Sequence, residues 1–220
     1  MIKGIIFDMD GVIIDSEPLW KEAEKKVFAT VGIYLNDELC KQTTGLDHIA
    51  TVKYWYKKYP WNNKSINKVA NEIIDEITKL IEIKGEARKG INELITYFNN
   101  KNLPLALASS SNKKIINQVL EKLNFKHKFV AICSSEDEKY GKPHPAVYLR
   151  AAKKLKLDPE DCLVFEDSFY GAIAAKSARM KVVMILEEDE FKQTRYDFVD
   201  YKIKSFFDFN EEIFKFLNIK

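Results

Sequence analysis

Short apolar runs near both ends of the chain flank a long stretch with helical periodicity. Ile5, Ile6 and Phe7 form a brief continuous run that predicts a buried strand. The pattern then changes. Asp15-Ser16-Glu17-Pro18 is a helix-start signal, with a capping side chain and a proline in the first turn. Trp20, Ala23, Val27 and Val31 come next at helical spacing, and Gly32 ends the segment. Asn36-Asp37-Glu38 opens a second short helix. Asp47 is placed to cap a third, with Ile49, Val52 and Trp55 on its apolar side and Pro60 closing it. A fourth runs from about Ser65, with Ile66, Val69, Ile73, Ile77 and Leu80 on one face. Residues 16–84 carry no strand signal and read as an all-helical insert.

From Arg88 onward, strand and helix signals alternate. Ile91, Leu94, Ile95 and Phe98 make a helix stripe, and residues 103–108 form an apolar strand ending at Ser109-Ser110-Ser111-Asn112. Ile115, Ile116, Val119, Leu120 and Leu123 mark the next helix, residues 129–133 a strand, and residues 146–155 a helix. Cys162 to Phe165 is a strand that runs into Glu166-Asp167; residues 171–178 form a small-residue helix, 182–185 a strand, and 210–217 a closing helix. Short apolar strands alternating with helices predict a parallel, doubly wound α/β sheet. The expected division is a core from residues 1–15 and 85–220 with a helical cap over 16–84. Ligands of such sheets bind beyond the carboxyl ends of the strands.

Composition narrows the class. Hydrophobic residues are 46% of 220, enough for a sizeable core with one insert. The formal charge is +2, with both signs interspersed, which argues against a nucleic-acid partner. No apolar run approaches the ~20 residues of a membrane span, and the chain opens directly into a strand rather than a signal pattern. Cys40, Cys133 and Cys162 are odd in number and far apart, which fits reduced thiols filling the core of a cytoplasmic protein.

The strand ends carry the candidate chemistry. Asp8 and Asp10 sit one residue apart at the mouth of the first strand, and Gly11 lets the backbone turn. Asp8 is the expected nucleophile, since a carboxylate can form an acyl phosphate. Asp10, two residues on, can protonate the leaving alcohol and later deprotonate water. Ser109 and Ser110 lie at a strand-to-helix junction, where hydroxyls and backbone N–H groups cradle phosphate. Lys142, in Gly141-Lys142-Pro143, supplies a positive charge. Glu166 and Asp167 offer hard oxygen ligands suited to magnesium. Each piece has an ordinary structural reading: a turn cap, an N-cap cluster, a surface turn, a helix-dipole partner. Together, in this order and each at a strand end, they point to one site. His144 is expected at the surface, and Trp55, Tyr56, Tyr59 and Trp61 read as core of the insert rather than a sugar platform.

These motifs resemble the haloacid dehalogenase superfamily of aspartate-nucleophile phosphatases. The likeness is closest to its sugar-phosphatase and β-phosphoglucomutase-like branch. It rests on Phe7-Asp8-Met9-Asp10-Gly11-Val12, Asp15-Ser16-Glu17-Pro18, Ala108-Ser109-Ser110-Ser111, Gly141-Lys142-Pro143 and Phe165-Glu166-Asp167-Ser168. The resemblance implies a Rossmann-like core with a helical cap inserted after the first strand. It also implies a magnesium ion held by Asp8, the backbone carbonyl of Asp10 and Asp167, with Glu166 close by. The loop Thr44-Gly45-Leu46-Asp47 matches the place where such enzymes read substrate, so Gly45 joins the candidate residues. Arg179 stands where the family usually has glycine.

The implied activity is magnesium-dependent hydrolysis of small sugar or polyol phosphates, of the 2-deoxyglucose 6-phosphate type, by a monomer. The alternative is a phosphoglucomutase; mutases of this branch usually carry histidine where this chain has Trp20. A true dehalogenase would leave Asp10, Glu166 and Asp167 idle, and a non-catalytic binding module would not need them either.

Overall fold

Six parallel strands carry the core, and the alternation of their side chains sorts it into two faces. The computed structural model describes residues 1–43, 46 and 48–219. Among these the strands are β1 (Gly4–Phe7), β2 (Leu105–Ser109), β3 (Ala131–Ser134), β4 (Cys162–Glu166), β5 (Lys181–Ile185) and β6 (Tyr201–Ile203). Their order is β3-β2-β1-β4-β5-β6, with every pairing parallel. The chain winds outward in one direction from β1 to β3 and in the other from β4 to β6. The switch point therefore falls between β1 and β4, whose carboxyl ends lie side by side with Phe7 opposite Phe165.

The helices are α1 (Glu17–Ala29), α2 (Asp37–Lys41), α3 (His48–Lys58), α4 (Ile66–Lys84), α5 (Ile91–Asn100), α6 (Lys113–Lys122), α7 (Ala146–Leu155), α8 (Phe169–Ser177), α9 (Glu188–Phe191) and α10 (Glu211–Ile219). One sheet face, with Ile5, Phe7, Leu107 and Phe165, packs with residues of α5, α6 and α10 and is rich in aromatics. The other face, with Ile6, Ala106, Ala108 and Val164, packs with α7 and α8 through mostly small residues. Phe7 stacks on Phe165 with ring centroids 5.3 Å apart, and Phe165 meets Phe98 at 5.7 Å and Phe209 at 5.2 Å. These rings form the floor under the ends of β1 and β4.

Helices α1 to α4 come after β1, with an apolar centre of their own that includes Phe28, Trp55, Trp61 and Val69. Leu19 and Ala23 of α1, and Ile74, Ile77 and Ile81 of α4, pack instead with the sheet's aromatic face. Trp20 packs against both groups. Two chain segments join the helical region to the sheet, and they are hydrogen-bonded side by side: Arg88 N–H donates to the Ile13 carbonyl at 3.0 Å and Asp15 N–H to that of Glu86 at 3.3 Å.

Several elements differ from the sequence expectation for identifiable reasons. β2 starts at Leu105 because Pro104 has no N–H, although its carbonyl still accepts from Ile5 N–H at 3.0 Å. Ile49 is 39% exposed, so α3 buries Thr51, Val52 and Trp55 instead. Trp55 and Trp61 are core residues as expected, whereas Tyr56 and Tyr59 are exposed. The cap expected of Asp47 lies outside the described residues, as does most of the turn it belongs to. The three cysteines are buried thiols. No helix among the described residues is long and apolar enough to cross a membrane.

Arg179 takes the conformation that glycine would supply. Its φ is +64°, and α8 still closes, with Met180 N–H donating to the Ala175 carbonyl at 3.1 Å. Its side chain is exposed and, among the described residues, gains only a long contact to Glu160, at 3.6 Å. Replacing it by glycine removes left-handed strain but adds freedom to the unfolded chain. Arg179→Gly is expected to stabilise by roughly 0.5–1 kcal/mol, read as a melting midpoint about 2–3 °C higher. A lower midpoint would mean that the arginine's surface contacts outweigh its backbone strain.

Candidate active site

The predicted strand-end residues converge on the switch point. Asp8 comes directly after β1, and its N–H donates to the Phe165 carbonyl at 3.0 Å, which fixes it against β4. Asp8 and Glu166 are buried, and each offers a carboxylate oxygen, together with one from Asp167, within 4.8 Å of the others. Lys142 reaches this group from the loop after β3. Its ammonium donates to Asp8 Oδ1 at 2.6 Å, to Glu166 Oε1 at 2.7 Å and to the Ala108 carbonyl at 3.3 Å. The second oxygen of Asp8 has no hydrogen-bond partner among the described residues.

Glu166 serves as the anchor of the cluster. Its Oε1 accepts from Lys142 and from the Tyr148 hydroxyl at 2.8 Å; its Oε2 accepts from the N–H groups of Asp167 and Ser168 and from the Ser168 hydroxyl, at 2.8–2.9 Å. Both oxygens are thus taken up by donors of the chain itself. The Lys142 ammonium also lies 4.7 Å from the centre of the Tyr148 ring. Glycine is required behind this carboxylate, since a Cβ on Gly171 would fall 1.6 Å from Glu166 Oε1. Gly11 meets the same demand at Asp167: its φ is +71°, and a Cβ there would lie 1.8 Å from Asp167 Oδ2.

Electrostatics show what this crowding costs. Burial pushes the Asp8 carboxyl up to about 7, with Glu166 and Asp10 adding to the shift and Lys142 opposing it. Burial, reinforced by Glu166 and Asp8, also raises Asp167 well above the usual carboxylate range. Burial works against the charge on Glu166 too, but Lys142 and the surrounding donors outweigh it and hold that carboxyl low. Lys142 stays protonated because Asp8 and Glu166 together overcome its burial. Among the described residues, Asp8, Asp10, Glu166 and Asp167 share one ammonium, Lys142. The donor set is all carboxylate oxygen, and the excess is negative and buried. Such a site suits a hard divalent cation.

Asp10 is held differently. Its Oδ1 accepts from the Ser16 hydroxyl at 2.6 Å and from Trp20 Nε1 at 3.1 Å, and its Oδ2 from the Ser111 hydroxyl at 2.7 Å. Three donors from two parts of the chain therefore orient the expected acid–base residue. Ser16 does begin α1, yet its hydroxyl makes no helix cap; it turns to Asp10 instead. Ser109 is buried, and its hydroxyl accepts from Ser111 N–H at 3.0 Å. Ser110 is exposed at the rim, with no hydrogen-bond partner for its hydroxyl among the described residues. Gly45 lies outside the described residues. His144 is exposed, as expected.

Ser111, Ser16, Trp20 and Tyr148 are the contributors that sequence reasoning passed over. Ser16 and Trp20 are one helical turn apart and so share a face, a signal that was present in the spacing. Tyr148 reads as an apolar helix position, although a buried phenol needs a partner.

Known proteins with similar sequences and folds bear on the same arrangement. Residues 5–185 match the haloacid dehalogenase-like hydrolase family. Hexitol phosphatase B of Escherichia coli (strain K12) is 37% identical over 206 residues, covering 93% of this chain and 92% of that protein. A phosphorylated carbohydrates phosphatase of Thermotoga maritima is 29% identical over 177 residues, covering 80% of this chain and 82% of its own. The crystal structure of a β-phosphoglucomutase from Clostridium difficile superposes with a TM-score of 0.84 at 27% identity, covering 100% and 98% of the two chains. By the extent of the family match and the identity to its relatives, this chain belongs to the haloacid dehalogenase-like hydrolases.

Proposed function

We propose that this phosphoric monoester hydrolase releases phosphate from small sugar or polyol phosphates through an aspartyl-phosphate on Asp8. The observation that carries the reading is the Asp8 carboxylate at the end of β1. It is bonded to Lys142 through one oxygen, free of donors from the described residues at the other, and set beside Asp167 and Glu166. The free oxygen attacks phosphorus, and the bond to the substrate's ester oxygen breaks. Asp10, held by Ser16, Trp20 and Ser111, gives its proton to the departing alcohol. It then takes a proton from water, whose oxygen attacks phosphorus and returns Asp8 as a carboxylate. Lys142 offsets charge on the phosphoryl group, and Ser110 at the rim, with Ser109 beneath it, receives its outer oxygens.

Asp8, Asp167 and the backbone carbonyl of Asp10 would hold magnesium, while Glu166 fixes Lys142 from behind. When bound, the ion supplies charge neutralisation at the phosphoryl oxygens. The relatives named above act on hexitol and carbohydrate phosphates, which supports the substrate class. Trp20, standing where the mutases carry histidine and bonded to Asp10, supports hydrolysis over isomerisation.

A panel of hexitol phosphates, 2-deoxyglucose 6-phosphate, other sugar phosphates and nucleotides, assayed for phosphate release, tests this. Turnover should be greatest on the polyol and sugar esters, vanish in EDTA and return with added magnesium. Full activity in EDTA refutes the metal site. Isomerisation of β-glucose 1-phosphate outpacing phosphate release, with a trace of bisphosphate present, makes the protein a mutase.

A further inference from the structure

Helix α1 carries an acid where its pattern calls for an apolar residue. Leu19, Ala23, Val27 and Phe28 are its buried positions, and Trp20 leans from the same side to reach Asp10. At about 100° per residue, Glu24 falls about 40° from Trp20 on one side and about 40° from Phe28 on the other. It therefore lies within the inward face, and it is half-buried. Its carboxylate has no hydrogen bond or ion pair among the described residues. Burial pushes its carboxyl up to about 7, with Lys21 alone pulling the other way. Across from it, the buried Cys40 thiol on α2 is pushed up mainly by burial and next by the charge of Glu24. Glu24 thus stands where α1 meets α2.

A half-buried carboxylate with no partner among the described residues costs stability, whereas leucine here would complete the stripe. Ser16, Trp20 and Glu24 succeed one another along the helix, the first two bonded to Asp10, the third about 6 Å further on. A phosphate is not its ligand, because like charges repel and the phosphoryl group belongs with Lys142. A carboxylate accepts through two oxygens, and neighbouring hydroxyls of a polyol donate as a pair. We propose that Glu24 is a specificity-determining residue that accepts hydrogen bonds from hydroxyls at the end of the substrate remote from phosphorus. This rests on the polyol and sugar phosphate reading given above.

Two esters of equal carbon number, sorbitol 6-phosphate and n-hexyl phosphate, separate the roles. The wild-type protein, assayed with magnesium, should favour the hexitol ester in kcat/KM by at least about tenfold. In Glu24→Leu that preference should collapse to about twofold or less, through loss on the hexitol ester, and Glu24→Gln should fall between because its amide keeps one acceptor. Glu24→Leu should melt no lower than wild type, which keeps folding out of the comparison. Equal loss on both esters, or an unchanged preference in the variants, overturns the inference while the proposed activity stands. A wild-type protein that cleaves p-nitrophenyl phosphate but neither hexitol nor sugar phosphates overturns both.

Discussion

Asp8→Asn should abolish phosphate release while leaving the fold as stable as before, or more so. The loss in kcat is expected to be about 10⁴-fold or greater, the scale on which removal of a nucleophile acts. Stability should move the other way because of how charge is shared. Lys142 bridges Asp8 and Glu166, so losing one carboxylate leaves the ammonium matched with the other. Burial opposes the ionisation of both, and of the two it prevails at Asp8, raising that carboxyl to about 7. An amide of the same shape avoids that cost. Phosphate release and thermal melting on the same sample check both halves. Retained turnover ends the nucleophile assignment, and a large fall in melting temperature shows that Asp8 matters to the fold more than its charge balance indicates.

Lys142→Met should do the opposite to stability. It removes the cation and leaves two buried carboxylates facing each other at the sheet switch point. Breaking a buried pair from one side costs about 3–5 kcal/mol, which for a chain of this size is a melting midpoint lower by roughly 10 °C. Turnover should fall as well, by about 10²–10³-fold, the scale of one lost charge-stabilising donor. The double variant Lys142→Met/Asp8→Asn should recover part of the stability and none of the activity. A single variant that melts with the wild type would show that Glu166 and Asp8 are neutralised without Lys142.

Much of this site was readable from residue order alone, because each motif sits at the end of an apolar strand or, for Lys142, in the loop that follows one. A run such as Ile5-Ile6-Phe7 can only be buried, and the residues after it must emerge at the sheet's rim. The roles of Ser16 and Trp20 were hidden by a better-known local alternative. A serine before Glu-Pro is normally a cap, and a tryptophan in a helical stripe is normally core; only the close approach of the start of α1 to the turn after β1 brings both to Asp10. Tyr148 was hidden in the same way, since nothing in its periodicity says that its hydroxyl meets Glu166. Strand β6 was unreadable for a different reason. Three residues, Tyr201 to Ile203, with a lysine in the middle, offer too little apolar pattern, and only pairing with β5 makes them a strand. Arg179 shows the limit from the other direction: a turn that favours glycine forms without it, at some energetic cost.

The ring floor beneath β1 and β4 has an evolutionary corollary. Phe7, Phe98, Phe165 and Phe209 interlock, so the two acid-bearing strands resist sliding past each other, and substitutions there disturb the chemistry before they alter what is bound. The apolar centre around Phe28, Trp55, Trp61 and Val69 is separate from that floor, and the faces of α1 to α4 that line it can drift in sequence without disturbing the floor. New preferences among phosphate esters should therefore accumulate in the insert, while the reaction itself is inherited unchanged.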